Sequence, residues 1–221
     1  MTNPSNVTKL PKNDIPKYPA KRYSCVVMDP PWPHMQRGNL GAIKHYDLMS
    51  VEDIANLPIP ELLTDDAHVW IWCFVASRLD AQRIAEQKWG LTFRSELIWD
   101  KRKTGLGNYL RGSHEHLLLF TKGRAPVLYK GQRDVADWPV QEHSHKPEEA
   151  MVAIQRLSPG PYLELFARRR FPGFDAWGNE APGGSDLHIP GYPVPAYSER
   201  ALNSVAGSGD DWADGVMRKA A

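Results

Sequence analysis

The sequence predicts an α/β fold, a mainly parallel sheet flanked by helices, from three observations. Short apolar runs rich in β-branched and aromatic residues recur at 23–28, 67–75, 92–99, 115–121 and 162–166, each of strand length. Between several of them lie segments whose apolar residues repeat at helical spacing, and strands alternating with helices indicate βαβ units. The first run also stops at Asp29-Pro30-Pro31-Trp32. A carboxylate and a stiff turn then stand at a strand's carboxyl end, the edge where open α/β sheets bind ligands.

In chain order, residues 1–20 carry Pro4, Pro11, Pro16 and Pro19 with little periodicity, and they read as an extended arm. The 23–28 run ends near Asp29 because Pro30 cannot donate to a sheet ladder. After a polar loop over 33–49, Ser50-Val51-Glu52-Asp53 has the capping-box pattern of a short helix, halted by Pro58 and Pro60. Beyond the second strand, Ser77-Arg78-Leu79-Asp80 repeats that pattern. Ala81, Ile84, Ala85 and Trp89 then share one helical face, and Gly90 ends it. The third strand leads into a basic loop with Lys101, Arg102, Lys103 and Arg111. The fourth is followed by a turn-rich stretch over 122–144. Pro147 suits the first position of a helix that carries Ala150, Ala153, Ile154 and Leu157 at i, i+3, i+4 and i+7. Ser158-Pro159-Gly160 breaks it before the last strand. One folded domain is expected over 21–181, followed by a Gly/Pro-rich and then acidic tail over 182–221, expected to be mobile.

Composition narrows the classes. With 27 basic and 26 acidic residues in 221, the chain lacks a global footprint for nucleic acid, so any basic surface is local. Cys25 and Cys73 sit inside apolar runs and read as free buried thiols of a reducing compartment. No apolar stretch approaches a membrane span and Met1-Thr2-Asn3-Pro4-Ser5 has no signal core; the expectation is a soluble, cytoplasmic protein.

The chemistry that Asp29-Pro30-Pro31-Trp32 suits is methylation of an exocyclic amine on a base. The lone pair of that nitrogen is delocalised into the ring. A carboxylate and a neighbouring carbonyl that accept its two hydrogens help turn the lone pair toward an incoming methyl. Pro30 stiffens the carbonyl, and Trp32 offers a face for stacking. The bland alternative is a strand-ending turn with Trp32 in the core.

Three further blocks each have a functional and a plain reading. Lys146, in His143-Ser144-His145-Lys146-Pro147, lies at a helix mouth, where free amides favour an anionic group; otherwise it is a solvated lysine. In Glu164-Leu165-Phe166-Ala167-Arg168-Arg169-Arg170, Glu164 suits ribose hydroxyls and Arg168 a nucleoside; otherwise the block is a strand end with a basic run. Trp177-Gly178-Asn179-Glu180 allows close backbone approach and paired hydrogen bonds, or is a turn. The alternating His114/His116 and His143/His145 pairs lack zinc-site spacing, so no metal is expected.

Together these blocks resemble the adenine-N6 methyltransferase family that includes the catalytic subunit of the eukaryotic messenger-RNA adenosine methyltransferase, and among its members the bacterial or phage type. The resemblance rests on Val26-Val27-Met28-Asp29-Pro30-Pro31-Trp32, Tyr46 with Met49-Ser50, the 70–74 run, Ile98-Trp99-Asp100-Lys101 and His114-Glu115-His116. It continues through Ser144-His145-Lys146-Pro147, the 164–168 block and Trp177-Gly178-Asn179-Glu180. It implies a Rossmann-like fold that uses S-adenosyl-L-methionine to methylate adenine N6, in DNA rather than RNA; a non-catalytic subunit is the alternative of another class. By resemblance, Asp29, Pro30, Pro31 and Trp32 form the catalytic turn, Tyr46 and Trp99 frame the base, and Lys146 binds the cofactor's carboxylate. Glu164, Arg168, Asn179 and Glu180 surround its ribose and adenine with Asp14 and Ile15, and Asp29 borders it. Lys101, Arg102, Lys103 and Arg111 are the candidate phosphate contacts, the roles of Arg169 and Arg170 stay open, and so do monomer and homodimer.

Overall fold

β1 (Tyr23–Met28) is the strand at which the sheet changes direction. In the computed structural model, which describes residues 21–33, 48–105, 109–141 and 145–206, seven strands form one sheet in the order β5-β3-β4-β2-β1-β6-β7. The others are β2 (Leu63–Cys73), β3 (Thr92–Asp100), β4 (His114–Lys122), β5 (Val135–Ala136), β6 (Tyr162–Leu165) and β7 (Phe174–Trp177). β1 pairs in parallel with β2 on one side and β6 on the other, whereas β4 runs antiparallel to both β2 and β3. The chain therefore builds one half of the sheet from β1 outward and returns to add β6 and β7. A crevice outside the carboxyl end of β1 follows from that switch.

The apolar runs are continuous because both sheet faces are covered. Val26 and Met28 join a core with Val69, Ile71, Leu118 and Phe120. That face is closed by α1 (Val51–Ala55), α2 (Ile59–Leu62) and α3 (Arg78–Arg83). Cys25 and Val27 join the opposite core with Trp70, Trp72 and Leu117, under α4 (Glu148–Leu157). Both thiols are buried and free, and burial pushes each up to about 12.

The Ser50 capping box is present, with Asp53 N–H donating to Ser50 Oγ at 3.0 Å. Ser77 does not repeat it: its hydroxyl turns back to the Phe74 carbonyl at 3.2 Å, so the local pattern lost to a turn. After α3 the helix widens into a π turn over Ile84–Lys88 and ends at Gly90, whose φ of +64° a side chain would resist. Pro147 is the cap before α4 rather than its first residue. β5, β7 and α5 (Glu199–Ala206) lay outside the strands and helices expected from sequence.

The mobile tail expected over 182–221 is overturned in its first part. Leu187, Ile189 and Val194 are buried in the β1 core. Asp186, its side chain 2 % exposed, accepts from Arg170 at 2.7 Å, Ser198 Oγ at 2.7 Å and Ala176 N–H at 2.9 Å. Arg200 of α5 bridges Asp186 and Asp175, and Asp175 also accepts from Lys21 and Tyr23, each at 2.7 Å. Burial opposes the charge on both aspartates, yet these donors hold both carboxyls below the usual range. A composition that reads as a tail is thus fastened by long-range ion pairs. The arm over 1–20 and the stretch after 206 lie outside the described residues.

Candidate active site

Asp29 follows β1 directly, and the register Met28↔Leu165 sets it beside the end of β6. The proline turn is held by two backbone bonds, Trp32 N–H to the Pro30 carbonyl at 2.9 Å and Met49 N–H to the Pro31 carbonyl at 3.0 Å. Lys146, just ahead of α4, reaches this edge. Its Nζ donates to Asp29 Oδ2 at 2.7 Å and lies 3.2 Å from Glu115 Oε2. Glu115 also pairs with Lys101. A chain of alternating charge, Asp29–Lys146–Glu115–Lys101, therefore runs from the crevice at Asp29 and Lys146 into the protein beside it.

Burial would lower the pKa of the Lys146 ammonium, but the two carboxylates outweigh it and hold the group charged. Burial would raise Glu115, and its two lysines bring it below the usual carboxylate range. At Asp29 the balance reverses: burial raises the carboxyl and Lys146 only partly offsets that. Glu164 is raised by burial to about 7, with Arg169 opposing.

The crevice has two compartments that share Asp29, Phe166 and Arg168. The narrow one is bounded by Trp72, Lys146, Met151 and Glu164, with the Lys146 ammonium 5.6 Å from the centre of the Trp72 ring. The broad one, about 520 Å³, is bounded by Pro31, Met49, Trp177, Asn179, Glu180 and Tyr192. That volume is typical of small-molecule sites. Phe166 is held at φ +63°, unusual for an aromatic residue, with its ring edge-on to Trp177. Ala167 N–H bonds the Trp177 carbonyl at 2.9 Å, and a Cβ on Gly178 would lie 2.6 Å from the Ala167 carbonyl oxygen. Gly178 thus lets the two strand ends close together.

The structure brings Asp29, Lys146, Glu164, Arg168, Asn179 and Glu180 to one crevice. Trp32 is a correction: 2 % exposed, it donates Nε1–H to the Trp72 carbonyl at 2.9 Å, so the side chain is packed as in the bland reading and its face is not open to a base in this structure. Trp99 is likewise 2 % exposed and donates to the Trp138 carbonyl at 2.8 Å. The four basic residues do not form one outward patch. Lys101 turns in to Glu115, whereas Arg102, Lys103 and Arg111 are exposed, Arg102 while paired with Asp100 and Asp137. Asp14, Ile15 and Tyr46 lie outside the described residues. Arg169 bonds Gln141, Glu148 and the Lys146 carbonyl, and Arg170 holds the 182–186 segment, so both are structural ties.

Sequence reasoning gave no role to Glu115, Trp72 or Tyr192. The signals available for Glu115 were its place in the His114-Glu115-His116 block and a carboxylate at the start of an otherwise apolar strand. Among the described residues no group of three or more His, Cys, Asp or Glu could hold a metal, and no helix is long and apolar enough to cross a membrane.

Residues 23–180 match the model of the family described as MT-A70. The Type II methyltransferase M.MunI of Mycoplasma sp is 28 % identical over 201 residues, covering 80 % of this chain and 84 % of that one. The N(6)-adenosine-methyltransferase MT-A70-like protein of Drosophila melanogaster is 33 % identical over 175 residues, 73 % of this chain and 27 % of its own. The human N(6)-adenosine-methyltransferase catalytic subunit METTL3 is 31 % identical over 175 residues, with 73 % and 29 % covered. This chain thus spans less than a third of the two animal proteins.

Proposed function

The chain belongs to the MT-A70 family, and from that premise we propose that it methylates adenine N6 in DNA with S-adenosyl-L-methionine as donor. It is an adenine-N6 methyltransferase; the polymer and the cofactor are our reading. The observation that carries the reading is the contact of Asp29 with Lys146 at the switch between β1 and β6. A group suited to an amine there touches a group suited to a carboxylate. Similarity to a Type II methyltransferase over 84 % of its length supports DNA, and the adenosine methyltransferases among the relatives support RNA as the second reading.

The residues present fit the cofactor. Trp177 Nε1 is buried with no hydrogen-bond partner among the described residues, beside Asn179 and Glu180 in the broad compartment. Such an orphan donor is costly unless something supplies an acceptor. Lys146 has three N–H donors; with two directed at Asp29 and Glu115, the third remains for the cofactor's carboxylate. Glu164 and Glu180 suit ribose hydroxyls, and Asn179 suits a base edge. When bound, S-adenosyl-L-methionine supplies an electrophilic methyl on sulfur.

Asp29 Oδ2 is taken by Lys146 and one lone pair of the Pro30 carbonyl by Trp32 N–H, which leaves Oδ1 for one amine hydrogen and the second lone pair of that carbonyl for the other. A carboxylate is too weak a base to deprotonate an aromatic amine beforehand. Its contribution is orientation of the lone pair and stabilisation of the cationic nitrogen that develops, and the proton leaves afterwards. A base in a duplex must first leave the stack. The partner this reading implies is nucleic acid, and the setting it favours is the cytoplasm.

The test is labelled-methyl transfer to matched DNA and RNA oligonucleotides that contain adenine or, as the only amino base, cytosine. Label in adenine of DNA is expected. Label confined to RNA overturns the polymer, and label in cytosine overturns the base.

A further inference from the structure

One wall of the broad compartment comes from outside the family-matched residues 23–180. Gly191, Tyr192 and Pro193 line it together with Arg168, Asn179 and Glu180. They sit on a tight turn, closed by the bond from Tyr192 N–H to the Ile189 carbonyl at 3.1 Å. Gly191 takes φ +83° there, a conformation that glycine adopts without strain. Both ends of the turn are sunk in the core through Ile189, 0 % exposed, and Val194, 9 % exposed. The Asp186 and Arg200 ion pairs fasten the same segment on either side.

Tyr192 is therefore held on a rigid base. It is half-buried, and its hydroxyl donates to the Asp53 carbonyl of α1 at 2.8 Å. Asp53 lines the same compartment. With its polar end satisfied, what the side chain offers the crevice is an aromatic surface. Pro193 and Met49 add apolar surface beside it, and Arg168, Asn179 and Glu180 supply the polar groups. An aromatic wall with a few polar groups suits a planar, polar-edged ring such as a nucleobase.

We propose that Tyr192, with Pro193, is a ligand-contacting residue that forms the wall against which the nucleoside end of the methyl donor packs. This rests on the cofactor reading above. The segment beyond residue 180 is then part of the binding site and supplies affinity through pre-organisation: little rotamer freedom is left to lose when the ligand arrives. The bond to Asp53 sets the ring, and the ring makes the contact.

The experiment titrates S-adenosylhomocysteine, without nucleic acid, into the full chain and into Tyr192→Ala and Tyr192→Phe. Loss of one aromatic contact to a base predicts Kd about tenfold or more higher for Tyr192→Ala. For Tyr192→Phe, which keeps the ring, a change within about threefold is expected. Hydrogen exchange of the unaltered protein adds an independent readout, with the amides of Ile189, Gly191, Tyr192 and Val194 slowing when ligand binds. Wild-type Kd in a folded Tyr192→Ala protein, or no slowing at 189–194 on saturation, overturns the wall. Should Tyr192→Ala not fold, the exchange result decides alone. Absence of binding by the unaltered protein overturns the cofactor reading, and the wall with it.

Discussion

Lys146 Nζ lies 2.7 Å from Asp29 Oδ2, across 117 positions of sequence. The same ammonium faces Glu115 at 3.2 Å. One cation thus serves two carboxylates in a crevice where its side chain is 16 % exposed and theirs are 31 % and 19 %. In surroundings less polar than water such contacts are stronger than on an open surface. The site therefore holds its charges in place before a substrate arrives.

Asp29→Asn keeps the shape and exchanges an acceptor oxygen for a donor amide that faces another donor. It also removes the negative charge from a developing cation. Single-turnover methylation should slow on the order of 10²–10³-fold, as for loss of one pre-organised transition-state contact. Nucleic-acid affinity, dominated by phosphate contacts, should change little. Near-normal turnover by the folded variant would remove Asp29 from the mechanism.

Lys146→Met strips Asp29 of its ion-pair partner and leaves Glu115 with Lys101 alone. Asp29, already raised by burial, rises further, so less of it is ionised at a given pH and the acid limb of the rate profile moves to higher pH. Glu115 is depressed in the native chain, so it contributes stability above its unfolded pKa that is lost as pH falls through the native one. The variant keeps only the share of that contribution which Lys101 supplies. A loss on the order of 2 kcal/mol is expected at neutral pH, below the ~3–5 kcal/mol for a fully buried pair because Asp29 keeps some exposure. Denaturant melts at pH 5 and pH 8 measure it; equal stability to the parent at both would contradict the pairing.

In its proposed role as acceptor from ribose hydroxyls, Glu164, raised by burial to about 7, works at full strength only when ionised. Cofactor binding therefore favours the deprotonated form. Kd should fall as pH rises through about 7, and calorimetry at pH 6.5 in buffers of different ionisation enthalpy should show proton release. Glu164→Gln should flatten that pH dependence. A slope that persists in the variant assigns it to another group.

Trp32→Phe removes the donor to the Trp72 carbonyl inside the core. The cost is about 1–3 kcal/mol of stability for the buried acceptor left behind, with KM for nucleic acid changing less than about threefold. A large KM effect without loss of stability would restore the stacking role.

Within the basic hairpin the four residues should separate. Lys103→Ala should lower the salt slope of nucleic-acid binding by about one unit. Lys101→Ala should leave the slope nearly intact and weaken cofactor binding, because Glu115 then leans on Lys146 alone. Equal loss of slope in both variants would mean that Lys101 also meets phosphate.

The sequence by itself determined strands β1, β2, β3, β4 and β6, the helix α4 and the position of Asp29. Periodicity reports how one short segment divides its faces, and a proline after a strand stops it wherever the chain goes. Tertiary structure decided what depends on partners far along the chain. The face taken by Trp32 and Trp99 follows from the carbonyls of Trp72 and Trp138 that accept their N–H groups. The pairing of Glu115 with Lys146 arises because β4 lies next to β2, and β2 next to β1. The segment after residue 181 has weak local order in its composition, yet Asp175, Asp186 and Arg200 bind it down. Local chemistry sets what a segment can form; only the assembled sheet sets which distant charge or carbonyl will meet it.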